Sequence, residues 1–182
     1  MTEARDIQLL RLCAKGDEAA FVQLYRMHQG PVFRFALHMC GSRETAEEIT
    51  QEVFMNVVTG SLNFEEARGG LQGYLLGIAR NCLRRDLRGF RTVRRHLERT
   101  EALEPRFADD VSLEQEIHAL RQAILRLPTK YREAVVLCDL EGLAYAEAAA
   151  RLGCAVGTIR SRLHRARNIL AAKLRKGAKC LA

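Results

Sequence analysis

Apolar residues recur three and four positions apart along nearly all of this 182-residue chain, and only three prolines, Pro31, Pro105 and Pro128, interrupt it. No stretch sustains two-residue alternation, so the chain has no half-buried strand from which to build a sheet. The pattern predicts an all-α fold, with helices near 6–14, 18–28, 31–40, 43–59, 70–88, 113–126, 129–140, 144–152 and 157–175. Pro31 and Pro128 suit the first turn of a helix, where the missing N–H is not needed, so a break is expected just before residue 31. Gly41, Gly142 and Gly153 suit helix ends, where a left-handed residue closes the last turn.

The periodicity fails between Gly89 and Asp110, where both charges are dense and apolar residues are too few to define a buried stripe. This segment reads as an interdomain linker. Charge divides the same way. Residues 1–88 carry 11 basic and 11 acidic side chains, 89–112 carry five of each, and 113–182 carry 13 basic against six acidic. The whole net charge of +7 therefore belongs to the last third, and Arg160 to Ala182 hold eight Lys or Arg with no Asp or Glu. A basic excess confined to one small domain points to a polyanion as partner.

Residues 143–170, LAYAEAAARLGCAVGTIRSRLHRARNIL, supply the structure that would use this charge. Ala146, Ala149 and Leu152 form one apolar stripe, Gly153 and the short Cys154–Val156 segment make a turn, and Ile159, Leu163 and Leu170 line the inside of a second helix. That is a helix-turn-helix. Steps of one, three and four residues place Arg160, Ser161, His164, Arg165 and Arg167 together on the outer face. Arginine can hold phosphates or read guanine edges bidentately, and a helix of this width enters a major groove.

The first half of the chain carries two further patterns. In residues 42–59, Glu44, Glu48 and Glu52 follow one helical line with Glu47 and Gln51 beside them, while Ile49, Val53, Phe54 and Val57 face inward. An acidic face on an otherwise neutral domain fits a basic protein partner. In residues 73–88, Leu75, Ile78, Ala79 and Leu83 face inward and leave Arg80, Asn81, Arg84, Arg85 and Arg88 outside, after a loop at 63–72. Such a helix and loop could hold single-stranded DNA, with arginines on phosphates and polar groups receiving an extruded base.

Residues 127–174, and above all the run VGTIRSRLHRAR, closely resemble region 4 of the extracytoplasmic-function (ECF) sigma factors of bacteria. Residues 18–88 resemble region 2 of the same group. The resemblance implies two small helical domains, 1–88 and 113–182, the second a four-helix domain with the helix-turn-helix, joined by a linker over 89–112. It implies docking of Glu44, Glu47, Glu48, Gln51 and Glu52 on the clamp helices of the largest subunit of core RNA polymerase. Region 4 would meet the flap of the second subunit. The resemblance further places Asn81, with Arg80 and Arg84 beside it, on the minus-10 element of promoter DNA, and Arg160, Ser161, His164 and Arg165 on the minus-35 element. An anti-sigma factor is an expected partner. Two departures stand out: Tyr74 occupies a position that is usually Trp in the group, and Ala144 one that is often Ser.

Other function classes fare worse. A stand-alone helix-turn-helix regulator would account for residues 113–182 and leave the 42–88 pattern unexplained. For an enzyme acting on nucleic acid there is no catalytic set: no paired carboxylates beside a metal ligand, no phosphate-cradling glycine loop and no nucleophile with its base. The six cysteines, at 13, 40, 82, 138, 154 and 180, are too scattered for a zinc site, so no metal or other cofactor is expected. Free thiols are the default reading, and Cys180, beside the basic tail, is the one position where an exposed, reactive thiol comes into question. Without a long apolar run or an apolar leader, the expected location is the cytoplasm.

Overall fold

A computed structural model describes residues 2–59, 64, 70–89 and 111–178. The loop at 60–69, apart from Phe64, most of the linker and Cys180 lie outside the described residues, as does the side chain of Arg88. Within them the chain is helical: α1 (Thr2–Cys13), α2 (Glu18–Cys40), α3 (Arg43–Val58), α4 (Leu71–Gly89), α5 (Val111–Leu125), α6 (Thr129–Val135), α7 (Tyr145–Leu152) and α8 (Val156–Ala178), with one wide π-type turn over Val136–Leu140. No strand occurs among the described residues.

The expected break at Pro31 is absent, for α2 runs unbroken through it for 23 residues. Proline normally forces its predecessor out of the helical region because its ring meets the preceding Cβ, and here the predecessor is Gly30, which has none. Leu24 and His28 before the proline and Val32 and Phe35 after it are all buried, so both halves are held to the same core. The side-chain oxygen of Asp17 caps the start by accepting from the Ala20 N–H at 2.9 Å, and Gly41 closes the end at φ 77°. A side chain at Gly41 would also strike Leu125, since an added Cβ would lie 2.9 Å from it.

Helices α1 to α4 enclose one core around Leu24, Phe35, Ile49, Leu75 and Leu76, each at most 1% exposed. His28 and Asp6, both buried, approach to 3.3 Å and pin α1 onto α2. Leu127, Val136, Leu137, Ile159 and Leu163 of the second half are buried as well, and they belong to the same continuous apolar cluster. Among the described residues the cysteines, Cys13, Cys40, Cys82, Cys138 and Cys154, are buried or half-buried free thiols that act as packing groups. Burial, then the neighbouring Asp139, pushes the Cys138 thiol up to about 11, and burial raises Cys13 and Cys40 as well.

Helix α7 begins at Ala144 with half a capping box. Glu147 accepts from the Ala144 N–H at 3.1 Å, but alanine has no oxygen to return the contact. Replacing Ala144 with Ser should supply it and add about 1 kcal/mol of stability. The thermal midpoint should rise by about 2–4 °C; an unchanged midpoint would show that the N-terminal N–H groups of α7 are satisfied without it.

Candidate nucleic-acid and polymerase interface

Ser42 starts α3 by accepting from the Thr45 N–H at 3.2 Å, and Ala46, Ile49, Val53, Phe54 and Val57 then turn inward. Glu44, Glu47, Glu48 and Gln51 are thereby left exposed on one surface. Glu47 pairs with Arg43 one turn earlier at 2.8 Å, a solvent-screened contact that a partner can displace. Glu52 differs: it is half-buried, and Arg85 of α4 holds both its oxygens at 2.5 and 2.6 Å. It ties α3 to α4, which the helical line of glutamates did not reveal. Beside the acidic residues lies an open aromatic groove of Phe21, Tyr25 and Phe54, with Met55 exposed at its edge and Glu47 and Gln51 on its rim. The Tyr25 and Phe54 rings meet edge to face at 4.8 Å.

In α4, Leu75, Leu76, Ala79, Cys82 and Leu83 are buried, as a 3.6-residue stripe requires. Asn81 and Arg84 are exposed. Arg80 is not, contrary to its placement on the outer face. Its guanidinium donates to Glu133 of α6 at 2.6 and 3.4 Å and to the Arg151 carbonyl of α7 at 3.3 Å, with only 12% of the side chain exposed. Tyr74 packs edge to face on Phe64 at 5.4 Å, with the Arg151 guanidinium 5.5 Å above its ring. Half-buried in these contacts, it serves packing and a cation–π contact in this conformation.

The helix-turn-helix is formed by α7 and α8. Gly153 takes φ 63° at the turn, and the Cys154 N–H donates to the Ala149 carbonyl at 3.0 Å. The buried stripe of α7 is Ala148, Ala149 and Leu152: Ala149 and Leu152 lie inward as expected, while Ala146 is exposed and Ala148 takes its place, which turns the stripe by about one-seventh of a turn. Ile159, Leu163, Ala166 and Leu170 seat α8. Arg160, Ser161, His164 and Arg165 are all exposed and share its outer surface. Ser161 donates back to the Thr158 carbonyl at 2.9 Å, and His164 meets Asn168 at 3.1 Å. A hydrogen bond from Arg165 leads the causes that lower the half-buried Tyr131 phenol, with the nearby Lys130 charge adding to it. Arg167 is withdrawn from the group, since its guanidinium grips Asp139 at 2.6 and 3.1 Å. That bond, then one to Tyr145, stabilises its charged form.

The contacts between the two halves escaped sequence reasoning. Besides Arg80 with Glu133, Arg34 of α2 reaches Glu141 at 3.2 Å, the Gln72 amide donates to the Glu141 carbonyl at 3.3 Å, and Arg132 donates to the Met39 carbonyl at 2.7 Å. Glu133 and Glu141, two of the three carboxylates inside the apolar run YREAVVLCDLEGL, are the one signal that could have found them, since buried charges need partners.

Sequence comparison separates the same two halves. Residues 24–95 match the family model for Sigma-70 region 2, and residues 117–170 match that for Sigma-70, region 4. The chain is 38% identical over 170 residues to the ECF RNA polymerase sigma factor SigE of Mycolicibacterium smegmatis, covering 86% of this chain and 63% of SigE. It is 33% identical over 140 residues to EcfG of Rhodopseudomonas palustris, with 77% of each covered. The match to SigC of Mycobacterium tuberculosis is 34% over 163 residues, with 87% and 85% covered. The chain belongs to the ECF sigma factors.

Two solved structures share the fold. The sigma factor RpoE, in complex with the anti-sigma factor NepR from Bartonella quintana, aligns with TM-score 0.69 at 29% identity, covering 85% of this chain and 96% of that one. CnrH, in complex with the cytosolic domain of CnrY, gives the same TM-score at 26% identity, with 94% and 98% covered. Among the described residues no three His, Cys, Asp or Glu side chains are grouped to hold a metal, and no helix is long and apolar enough to cross a membrane.

Proposed function

We propose that this sigma factor works in the cytoplasm as a dissociable specificity subunit, with residues 1–88 and 113–182 as its working domains and 89–112 joining them. Glu44, Glu47, Glu48 and Gln51, with the aromatic groove beside them, bind the clamp helices of core RNA polymerase; Glu52 supports that face through Arg85. Region 4 meets the flap. Asn81, Arg84 and Arg80 engage the minus-10 element once Arg80 is free, and Arg160, Ser161, His164 and Arg165 engage the minus-35 element. The chain positions and melts DNA and leaves the chemistry to the polymerase, so it needs neither a catalytic residue nor a cofactor. An anti-sigma factor is its expected inhibitor, as the complex of RpoE with NepR illustrates.

One observation carries this reading. An exposed four-residue polar face on a helix seated by Ile159 and Leu163 occurs in the same chain as an exposed acidic face on α3. A stand-alone regulator explains the first and not the second. The test is transcription by core polymerase from mapped promoters, with the parent and a Glu44→Lys/Glu48→Lys variant. The parent should direct specific initiation, and duplex promoter binding should require core. Both glutamates are exposed, so the variant should keep its fold and lose core affinity by about 5- to 150-fold, equivalent to about 1–3 kcal/mol. Tight promoter binding by the chain alone would favour the regulator, and undiminished competition for core by the variant would overturn the docking assignment.

A further inference from the structure

We propose that Asp139 limits the sequence-independent grip of region 4 on DNA: by holding Arg167 in an ion pair, it keeps one arginine of α8 off the phosphate backbone. The inference rests on the proposed role of α8 at the minus-35 element. Asp139 touches no DNA in this scheme and acts through Arg167, as a positioning residue.

Arg167 belongs by position to the DNA-facing set. It follows Arg160 by seven residues, which at 100° per residue brings the two to within about 20° of one line along α8, about 10 Å apart. Both are exposed. An acid separates their roles. The Arg167 Nε donates to one Asp139 oxygen at 3.1 Å and Nη2 to the other at 2.6 Å, and the Tyr145 hydroxyl accepts a further hydrogen bond. This bidentate grip fills the Nε–Nη2 edge of the guanidinium, a fork that would otherwise take two phosphate oxygens, and the carboxylate cancels the charge that would draw a phosphate in.

No other acid of region 4 plays this part among the described residues. Glu133 and Glu141 are buried against Arg80 and Arg34, Glu147 accepts from the Ala144 N–H, and Glu116 lies on α5, so Asp139 is the one acid ion-paired to α8. Stability does not account for the pair. Its side chains are 54% and 27% exposed, and an ion pair so open to water adds little to a fold. Its effect on DNA binding is of another size. Each phosphate that a protein neutralises steepens the salt dependence by about 0.9 units and, by counterion release alone, adds about 15-fold in affinity at 50 mM salt and about fourfold at 200 mM. That gain falls alike on every sequence, because phosphate contacts carry no base information. Withholding it leaves discrimination to the residues that read bases and shortens the stay on every site.

The test is Asp139→Asn in the full chain, assembled with core polymerase and titrated on a promoter duplex and an unrelated duplex of equal length over a range of salt. Asparagine keeps the size of the side chain and one acceptor oxygen but not the charge. The variant should bind both duplexes about 15-fold more tightly at 50 mM and about fourfold at 200 mM, with a salt slope steeper by about one unit. Its thermal midpoint should move by no more than about 4 °C. Asp139→Asn/Arg167→Ala removes both charges, keeps the net charge of the parent, and should return affinity and slope to parental values. Unchanged or weaker binding by Asp139→Asn overturns the inference, since Asp139 would then be idle or would orient Arg167 onto the DNA. A gain that persists in the double variant also overturns it, because the acid would then act by plain repulsion. Arg160→Ala/Arg165→Ala in the same titrations reads the face itself. If that variant loses affinity and Asp139→Asn gains none, the restraint falls and the promoter role of α8 stands; if it binds as the parent does, the promoter role falls.

Discussion

Replacing Arg160 and Arg165 together with alanine should lower the affinity of the holoenzyme for promoter duplex by about 30-fold to about 20,000-fold. Each arginine that reads a guanine or grips a phosphate contributes about 1–3 kcal/mol, and each 1.4 kcal/mol is a factor of ten. The two lie on one exposed face but differ in surroundings. Arg165 is steadied by the Tyr131 phenol, while Arg160 has no ion pair among the described residues. A base reader and a phosphate clamp separate in the single variants. Loss of a reader relaxes discrimination at one base pair, whereas loss of a clamp weakens every sequence alike and lowers the salt slope by about one unit. Holoenzyme titrations on single-base variants of the minus-35 element at two salt concentrations measure both. Unchanged affinity and slope in the double variant would make the basic face of α8 a solvated surface with no part in recognition.

What could be read in advance divides along the range of the interactions. Ile159, Leu163 and Leu170 lie inward because helical geometry alone puts them there, and the same holds for Ile49, Val53, Phe54 and Val57. Gly153 at the turn follows from its own backbone freedom. The errors come from contacts that spacing does not encode. Pro31 fails to stop α2 because Gly30 relieves the clash and the core grips both sides. Ala146 is exposed because the direction of the α7 face is set by the helices it packs on, and an alanine-rich segment barely distinguishes one face from another. Arg80, Arg85 and Arg167 all read as free surface cations, yet each has a carboxylate partner, at separations of 53, 33 and 28 residues. Periodicity identifies which residues leave the core of their own domain, but a second domain or a neighbouring helix decides whether they reach water.

Phe35→Ala should destabilise region 2 by about 3–5 kcal/mol, the usual cost of emptying a fully buried phenylalanine site. Phe35 is 0% exposed near the end of α2, the helix that packs on α1, α3 and α4. The cavity would open in a tightly packed region, so little collapse is available to offset the loss. Val22→Ala on the same helix is the control: Val22 is 44% exposed, and its truncation should change stability by no more than about 0.5 kcal/mol. Denaturant unfolding should show a lower midpoint with an unchanged slope for Phe35→Ala. A loss below about 1 kcal/mol would mean that the core around Phe35 is loosely packed. The same experiment bears on the contact between the two halves, because α2 also supplies Arg34, the Met39 carbonyl and the approach to Gly41 on which region 4 rests. If the interface couples the two halves, weakening α2 should lower the resistance of region 4 to unfolding as well. Probes in the two regions should then show both transitions moving to lower denaturant, while a shift confined to region 2 would mean that region 4 draws no stability from the contact.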